Sequence, residues 1–215
     1  GGTCPAGLVC TPVSVTCPVG FICTPVGGGA PVAGSNGLAG DAGSVETYSL
    51  QSEFNNEDVG EGEEDVKIMS FEVEADNGSD LEFTSMKVWL ENQDTGSSED
   101  LDDYAESVQI WLDGKMVGEA DASEFSGEDT SGTEADNSTS DSIDEWTKTI
   151  SLNNAIVKAG DTSEFTISIT AVNSIDSADH DSDDWDVAIH NVRFEDASGA
   201  VISETPSIST SETAF

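Results

Sequence analysis

From Ser44 onward the chain alternates apolar and polar positions in short runs. Over 66–75, Met69, Phe71, Val73 and Ala75 share one face, with Ser70, Glu72 and Glu74 on the other, the period of two that marks a half-buried strand. Phe165, Ile167, Ile169 and Ala171 repeat it against Thr166, Ser168 and Thr170. In two places the apolar phase slips: Leu81 and Phe83 give way to Met86, Val88 and Leu90, and Val187 and Ile189 give way to Val192 and Phe194. A slip inside a strand predicts a β-bulge or corner. Further strands are expected at 45–54, 106–112, 115–119, 146–152 and 200–204. Asp113-Gly114 is expected as a two-residue hairpin turn, and Asp196-Ala197-Ser198-Gly199 as a longer one. No stretch carries a helical period. The pattern predicts an all-β fold, one Ig-like or jelly-roll β-sandwich of roughly eight to ten strands.

The first 26 residues follow a different rule. Residues 3–13 and 16–26 form two copies of one unit, T-C-P-x-G-x-x-C-T-P-V, offset by 13 positions, and they hold all four cysteines. Pro-x-Gly gives a turn between Cys4 and Cys10 and again between Cys17 and Cys23, which favours two local disulfides among the three possible pairings. Zinc is the alternative, although its knuckles usually space cysteines by two residues. Prolines deny this segment a regular helix or central strand. It reads as an extended disulfide-containing arm, with Leu8, Val9, Phe21 and Ile22 as apolar contacts for its own sandwich or for a neighbouring subunit. A disulfide-stiffened linker is the plainer reading.

These patterns divide the chain into an arm (1–26), a Gly/Ala-rich flexible connector (27–43), a sandwich (44–205) interrupted by an acidic insertion (120–145), and a Ser/Thr-rich tail (206–215) that could begin another strand.

Charge then narrows the function. With 44 Asp and Glu against 6 Lys and Arg, the formal net charge is −38. Nucleic acid and anionic membrane surfaces both need a basic face, so neither is an expected partner. No run approaches the roughly 18 apolar residues of a membrane-spanning helix, so no membrane insertion is expected. Starting at Gly1 with paired cysteines, the chain reads as the mature form of an exported protein, extracellular or at the cell surface. Self-repulsion on this scale is offset by divalent cations, by high ambient salt or by spreading charge over loops, and the composition fits all three.

Calcium is the expected cofactor. Asp176, Asp179, Asp181, Asp183, Asp184 and Asp186 lie in one inter-strand loop, and a hard divalent cation takes six to eight oxygens from such a set. The spacing of Asp179, Asp181 and Asp183 imitates the first three EF-hand ligands. Asp184, however, stands where that motif needs Gly, and His190 where it needs Glu. Two lesser acidic groups lie at 57–65 and 94–103, each equally readable as solvated surface. Asn77-Gly78-Ser79 and Asn137-Ser138-Thr139 fit the N-glycosylation pattern, marking Asn77 and Asn137 as candidate glycan sites.

Catalysis finds little support. Only His180 and His190 titrate near neutrality, no Gly-x-Ser-x-Gly is present, and carboxylates are so dense that a close pair carries no information. The chain is expected not to be an enzyme. Trp89, Trp111, Trp146 and Trp185 lie in or beside predicted strands and read as core. An exposed Trp185 beside a calcium loop would instead favour a sugar-gripping module.

The Cys-Pro-x-Gly-x-x-Cys-Thr-Pro-Val units, the Gly-rich connector, the run V-K-I-M-S-F-E-V-E-A-D-N-G-S-D-L-E-F-T-S-M-K-V-W-L and the run D-W-D-V-A-I-H-N-V-R-F-E-D-A-S-G-A-V-I together resemble exported acidic cell-surface β-sandwich proteins of candidate-phylum bacteria. The resemblance implies a structural role in a surface layer or fibre, with no catalytic residues. The expected function is a subunit of an extracellular filament or surface layer. It would join copies of itself into a homopolymer through the arm, in the manner of a donor strand, braced by calcium. A calcium-dependent adhesin or carbohydrate-binding module is the alternative.

Overall fold

In a computed structural model of the chain, residues 36–93, 100–128, 145–175 and 184–214 are described. They form twelve strands: β1 Val45–Gln51, β2 Glu57–Asp58, β3 Val66–Ala75, β4 Leu81–Asn92, β5 Ala105–Leu112, β6 Lys115–Asp121, β7 Ser126–Glu128, β8 Glu145–Val157, β9 Thr162–Ala171, β10 Asp184–Asp196, β11 Val201–Glu204 and β12 Ser211–Ala214. The helical content among these residues is two single 3-10 turns, Leu101–Asp103 and Ala122–Glu124.

The strands make two sheets. One runs β1-β3-β9-β5-β6, the other β2-β12-β10-β4-β8-β7, with β11 also on β10. All the pairings are antiparallel except β12 with β2. The chain changes sheet at β1 to β2, β2 to β3, β3 to β4, β4 to β5, β6 to β7, β8 to β9 and β9 to β10. Each sheet therefore gives one alternating face to a shared core, and the expected β-sandwich is present.

Phe71 and Phe165 from the first sheet meet Phe83 and Phe194 from the second. Phe83 lies edge-on to Phe165 at 5.1 Å and tilted against Phe194 at 5.3 Å, and all four are fully buried. Offset and edge-on rings at this spacing add about 0.5–1.5 kcal/mol per pair beyond burial. The two phase slips are bulges: pairing shifts between Phe83 and Ser85 on β4 and between Ile189 and Asn191 on β10. Asp113 and Gly114 both have positive φ, 48° and 75°, the conformation a primed two-residue hairpin requires.

Three parts of the chain are more ordered than composition suggests. Residues 36–43, counted with the flexible connector, are tied down: Leu38 is buried, Gly40 bridges to Ser79, and the Asn36 side-chain amide donates to Glu195 and to the Asp196 carbonyl. The first part of the acidic insertion, 120–128, contains the end of β6, a 3-10 turn and β7, and buries Phe125. The tail forms β12, whose inward residues are hydroxylic: Ser211 Oγ donates to the Ile68 carbonyl and Thr213 Oγ1 to that of Glu57. Each inward hydroxyl satisfies a backbone carbonyl, so a polar strand is tolerated in a buried place.

Candidate functional site

The antiparallel register places one set of strand ends together. Val66 and Ala105 at the starts of β3 and β5 lie beside the end of β9, since Val66 pairs with Ile169 and Ala105 with Ala171. Asn92 at the end of β4 pairs with Trp185 at the start of β10, and Glu91 with Glu145 at the start of β8. Glu128 at the end of β7 also pairs with Glu145. The connections 52–65, 93–104, 129–144 and 172–183 thus all leave and re-enter at one end of the sandwich. With their immediate flanks they hold more than half of the acidic residues of the chain and no Lys or Arg.

Carboxylates continue from that end onto the sheet. Glu145, Glu91, Asp186 and Glu212 are successive direct partners across β8, β4, β10 and β12. Direct partners share a face roughly 4.5–5.5 Å apart, and like charges so placed oppose one another. Glu145 is buried. Beside the row opens a cleft of about 350 Å³ between β2, β12 and β10, lined by Asn56, Asp58, Gln93, Asp184, Asp186 and Glu212 among others. The Gln93 amide donates to both Glu91 (2.9 Å) and Asp186 (3.1 Å), orienting two neighbouring carboxylates. Burial first, and Glu212 second, push the Asp186 carboxyl above the ordinary range. Burial, then Asp102 and Asp103, do the same to Asp100.

Of the six predicted calcium ligands, Asp184 and Asp186 fall among the described residues. They sit two apart on β10 and both line the cleft. Asp176, Asp179, Asp181 and Asp183 lie outside the described residues, as do Cys4, Cys10, Cys17, Cys23, Leu8, Val9, Phe21, Ile22 and Asn137. Among the described residues no three His, Cys, Asp or Glu side chains converge closely enough to hold a metal ion. In the acidic group at 57–65, carboxylates serve the backbone: Glu61 accepts from the Ile175 N–H and Glu63 from that of Gly60. Asn77 is exposed in the turn between β3 and β4.

Trp185 and His190 are engaged in packing, whereas His180 lies outside the described residues. Trp185 is fully buried, edge-on to Tyr104 at 5.1 Å, so it offers no exposed platform. His190 occupies the β10 bulge and stacks on Trp89 at 5.2 Å.

The opposite end contains acids of another kind, which the sequence did not single out. Asp196 is 1% exposed and accepts from the N–H groups of Gly43, Ser198 and Ala200 and from the Ser198 hydroxyl. Burial alone would raise its carboxyl, but these donors outweigh it and hold the group low. Asp80 is balanced likewise, burial being outweighed by Lys158 at 2.8 Å and the N–H groups of Ala159 and Ala39. Asp76 is held low chiefly by the Ser44 hydroxyl, against a smaller effect of burial, with the Gly78 N–H adding to it. The Asp-x-Ser-Gly turn at 196–199 was the visible signal for one of them.

No family model matches the chain, and no curated protein matches it. Among solved structures, the collagen-binding subdomain ACE19 of the Enterococcus faecalis surface protein ACE aligns over 78% of this chain and 94% of that one, at 8% identity and a TM-score of 0.27. A likeness of that size carries no functional argument. Among the described residues no helix is long and apolar enough to cross a membrane.

Proposed function

We propose that this chain is a surface-exposed structural subunit of an extracellular filament or surface layer, joined to its neighbours through the Cys-Pro arm and braced by calcium at its acidic end. One observation supports it above the others: the acidic connections, widely separated in sequence, open at a single end of the sandwich. A scattered distribution would serve solubility equally well. Concentration at one pole costs repulsion, which a bound divalent cation removes. Asp58, Asp184, Asp186 and Glu212 line the cleft at that end without by themselves forming a metal-holding group among the described residues, and the cation would supply charge neutralisation between strands. A head-to-tail contact through the arm closes into a ring or propagates as a fibre.

The decisive experiment is electron microscopy of the native, unreduced protein with calcium and after chelation, alongside calcium-dependent thermal melting. Ordered fibres or sheets with calcium are expected, together with a raised melting temperature. A site held a hundredfold above its dissociation constant adds about 2.7 kcal/mol. Dispersed monomers in both conditions, with no thermal shift, would defeat the reading. The alternative of a carbohydrate-binding module loses its aromatic platform with the burial of Trp185, whereas an adhesin gripping a ligand through the acidic end remains the competing outcome.

A further inference from the structure

The core is sealed unevenly. Val45, Tyr48 and Leu50 of β1, Ile202 of β11 and Ile208 beyond it pack against the core while only partly buried, and they lie along one side of the sandwich. Across that seam the Tyr48 hydroxyl donates to Glu204 at 2.6 Å. Val201, next to it, is 50% exposed.

β1 differs from the other edges in how it discourages pairing. β2 has two residues, β7 three and β11 four, too short to template much. β6 carries Lys115, Glu119 and Asp121, and its edge is closed by β8: a Cβ on Gly118 would stand 2.7 Å from Leu152 and 2.9 Å from the Ser151 carbonyl. β1 has seven residues and one charge, Glu46, which lies at the bulge between Val45 and Thr47. Thr47 to Gln51 is an uncharged edge beside half-covered apolar side chains.

Charge decides what can approach it. Pairing β1 with β1 of another copy would press two bodies of net charge −38 together. Residues 1–40 contain no charged side chain, so this segment of a second copy reaches the seam without that repulsion. Proline cannot donate to a ladder, and each arm unit leaves a six-residue run free of it, A-G-L-V-C-T at 6–11 and V-G-F-I-C-T at 19–24. A six-residue run is long enough to span the five open residues of β1, Thr47 to Gln51. Alternate side chains of an added strand then enter the pockets of the sheet edge.

We infer that β1 is the receiving edge of the assembly: one Cys-Pro unit of a second copy adds as a strand beside Val45–Gln51 and covers the β1–β11 seam. This rests on arm-mediated assembly as proposed above. The test places a photo-crosslinking amino acid at Ser49 on β1 or, as a control, at Glu119 on β6, both exposed positions, in full-length unreduced protein mixed from isotopically heavy and light copies. Thermal melts verify that both variants fold. Expected is a heavy-to-light cross-link from position 49 to a peptide within 4–24, absent from position 119. Cross-links confined to one isotope, or formed from 119 and not 49, overturn the assignment of β1 while leaving arm-driven assembly intact. Assembly unchanged by deletion of 1–26 overturns both.

Discussion

The two ends of this sandwich use the same side chain in opposite ways. At the end formed by 36–44, 76–80, 158–161 and 196–200, Asp76, Asp80 and Asp196 each accept several N–H or O–H groups, and their carboxyls are held below the ordinary range. At the other end Asp186 and Asp100 are desolvated beside other carboxylates and are pushed above it. What separates them is the supply of donors. A carboxylate facing backbone N–H groups closes a turn, and one facing its own kind stores repulsion that a cation, a proton or a partner can release.

The largest effect is expected at Asp196. Asp196→Ala leaves the N–H groups of Gly43, Ser198 and Ala200 without their acceptor in a buried place. A loss of roughly 3 kcal/mol is expected in urea unfolding. A loss below about 1 kcal/mol would mean that water replaces the carboxylate, and the contrast between the ends would be weaker than drawn. Asp80→Ala should cost less, about 2 kcal/mol, because it serves two N–H groups and one lysine. Lys158 is 59% exposed at its side chain, so Lys158→Ala should cost under about 1 kcal/mol. If the lysine variant matched the aspartate variant, the ion pair rather than the backbone donors would be holding this end.

Acid should separate the ends by sign. For Asp76, Asp80 and Asp196 the folded carboxyl is depressed, so their contribution is present above the unfolded value near 3.9 and is lost as pH falls through the lower folded values. For Asp100 and Asp186 the folded carboxyl is raised, so the folded state takes up protons first and stability falls as pH rises through their folded values. Stability should therefore climb as pH drops from neutral into the mildly acid range, then fall at stronger acid. Urea midpoints across pH measure this. Asp196→Ala should flatten the acid limb alone, and Asp186→Asn the rise alone.

Much of this fold was legible because apolar periodicity is a local signal. Met69 to Ala75 and Phe165 to Ala171 announced their strands, and the phase slips at Thr84 and His190 announced their bulges. The tail was readable only as the possible start of a strand, because the inward residues of β12, Ser211 and Thr213, are buried by hydrogen bonding rather than by apolarity. β2 and β7 are too short for any period to show. The acidic end was half legible: the loops could be read as acidic, but their convergence depends on which strands pair, and that is a non-local property. Asp196 was marked only by its Asp-x-Ser-Gly turn, and Asp80 could not be told from the other acids, because composition counts charges and not the N–H groups that meet them.

The smallest effect probes the repulsive row directly. Glu212 is exposed and pairs with Asp186 across β12 and β10, so Glu212→Lys replaces a like-charged partner with an opposite one. A gain of about 0.5 kcal/mol is expected, the usual size for a cross-strand charge pair, and it should shrink in high salt. The same substitution should reduce the stabilisation by calcium, because the added ammonium performs part of the neutralisation assigned to the cation. A gain without any change in the calcium response would place the cation away from this row. A loss of stability would show that Asp186 and Glu212 are already relieved by their surroundings, and the contrast between the two ends would then rest on Asp100 alone.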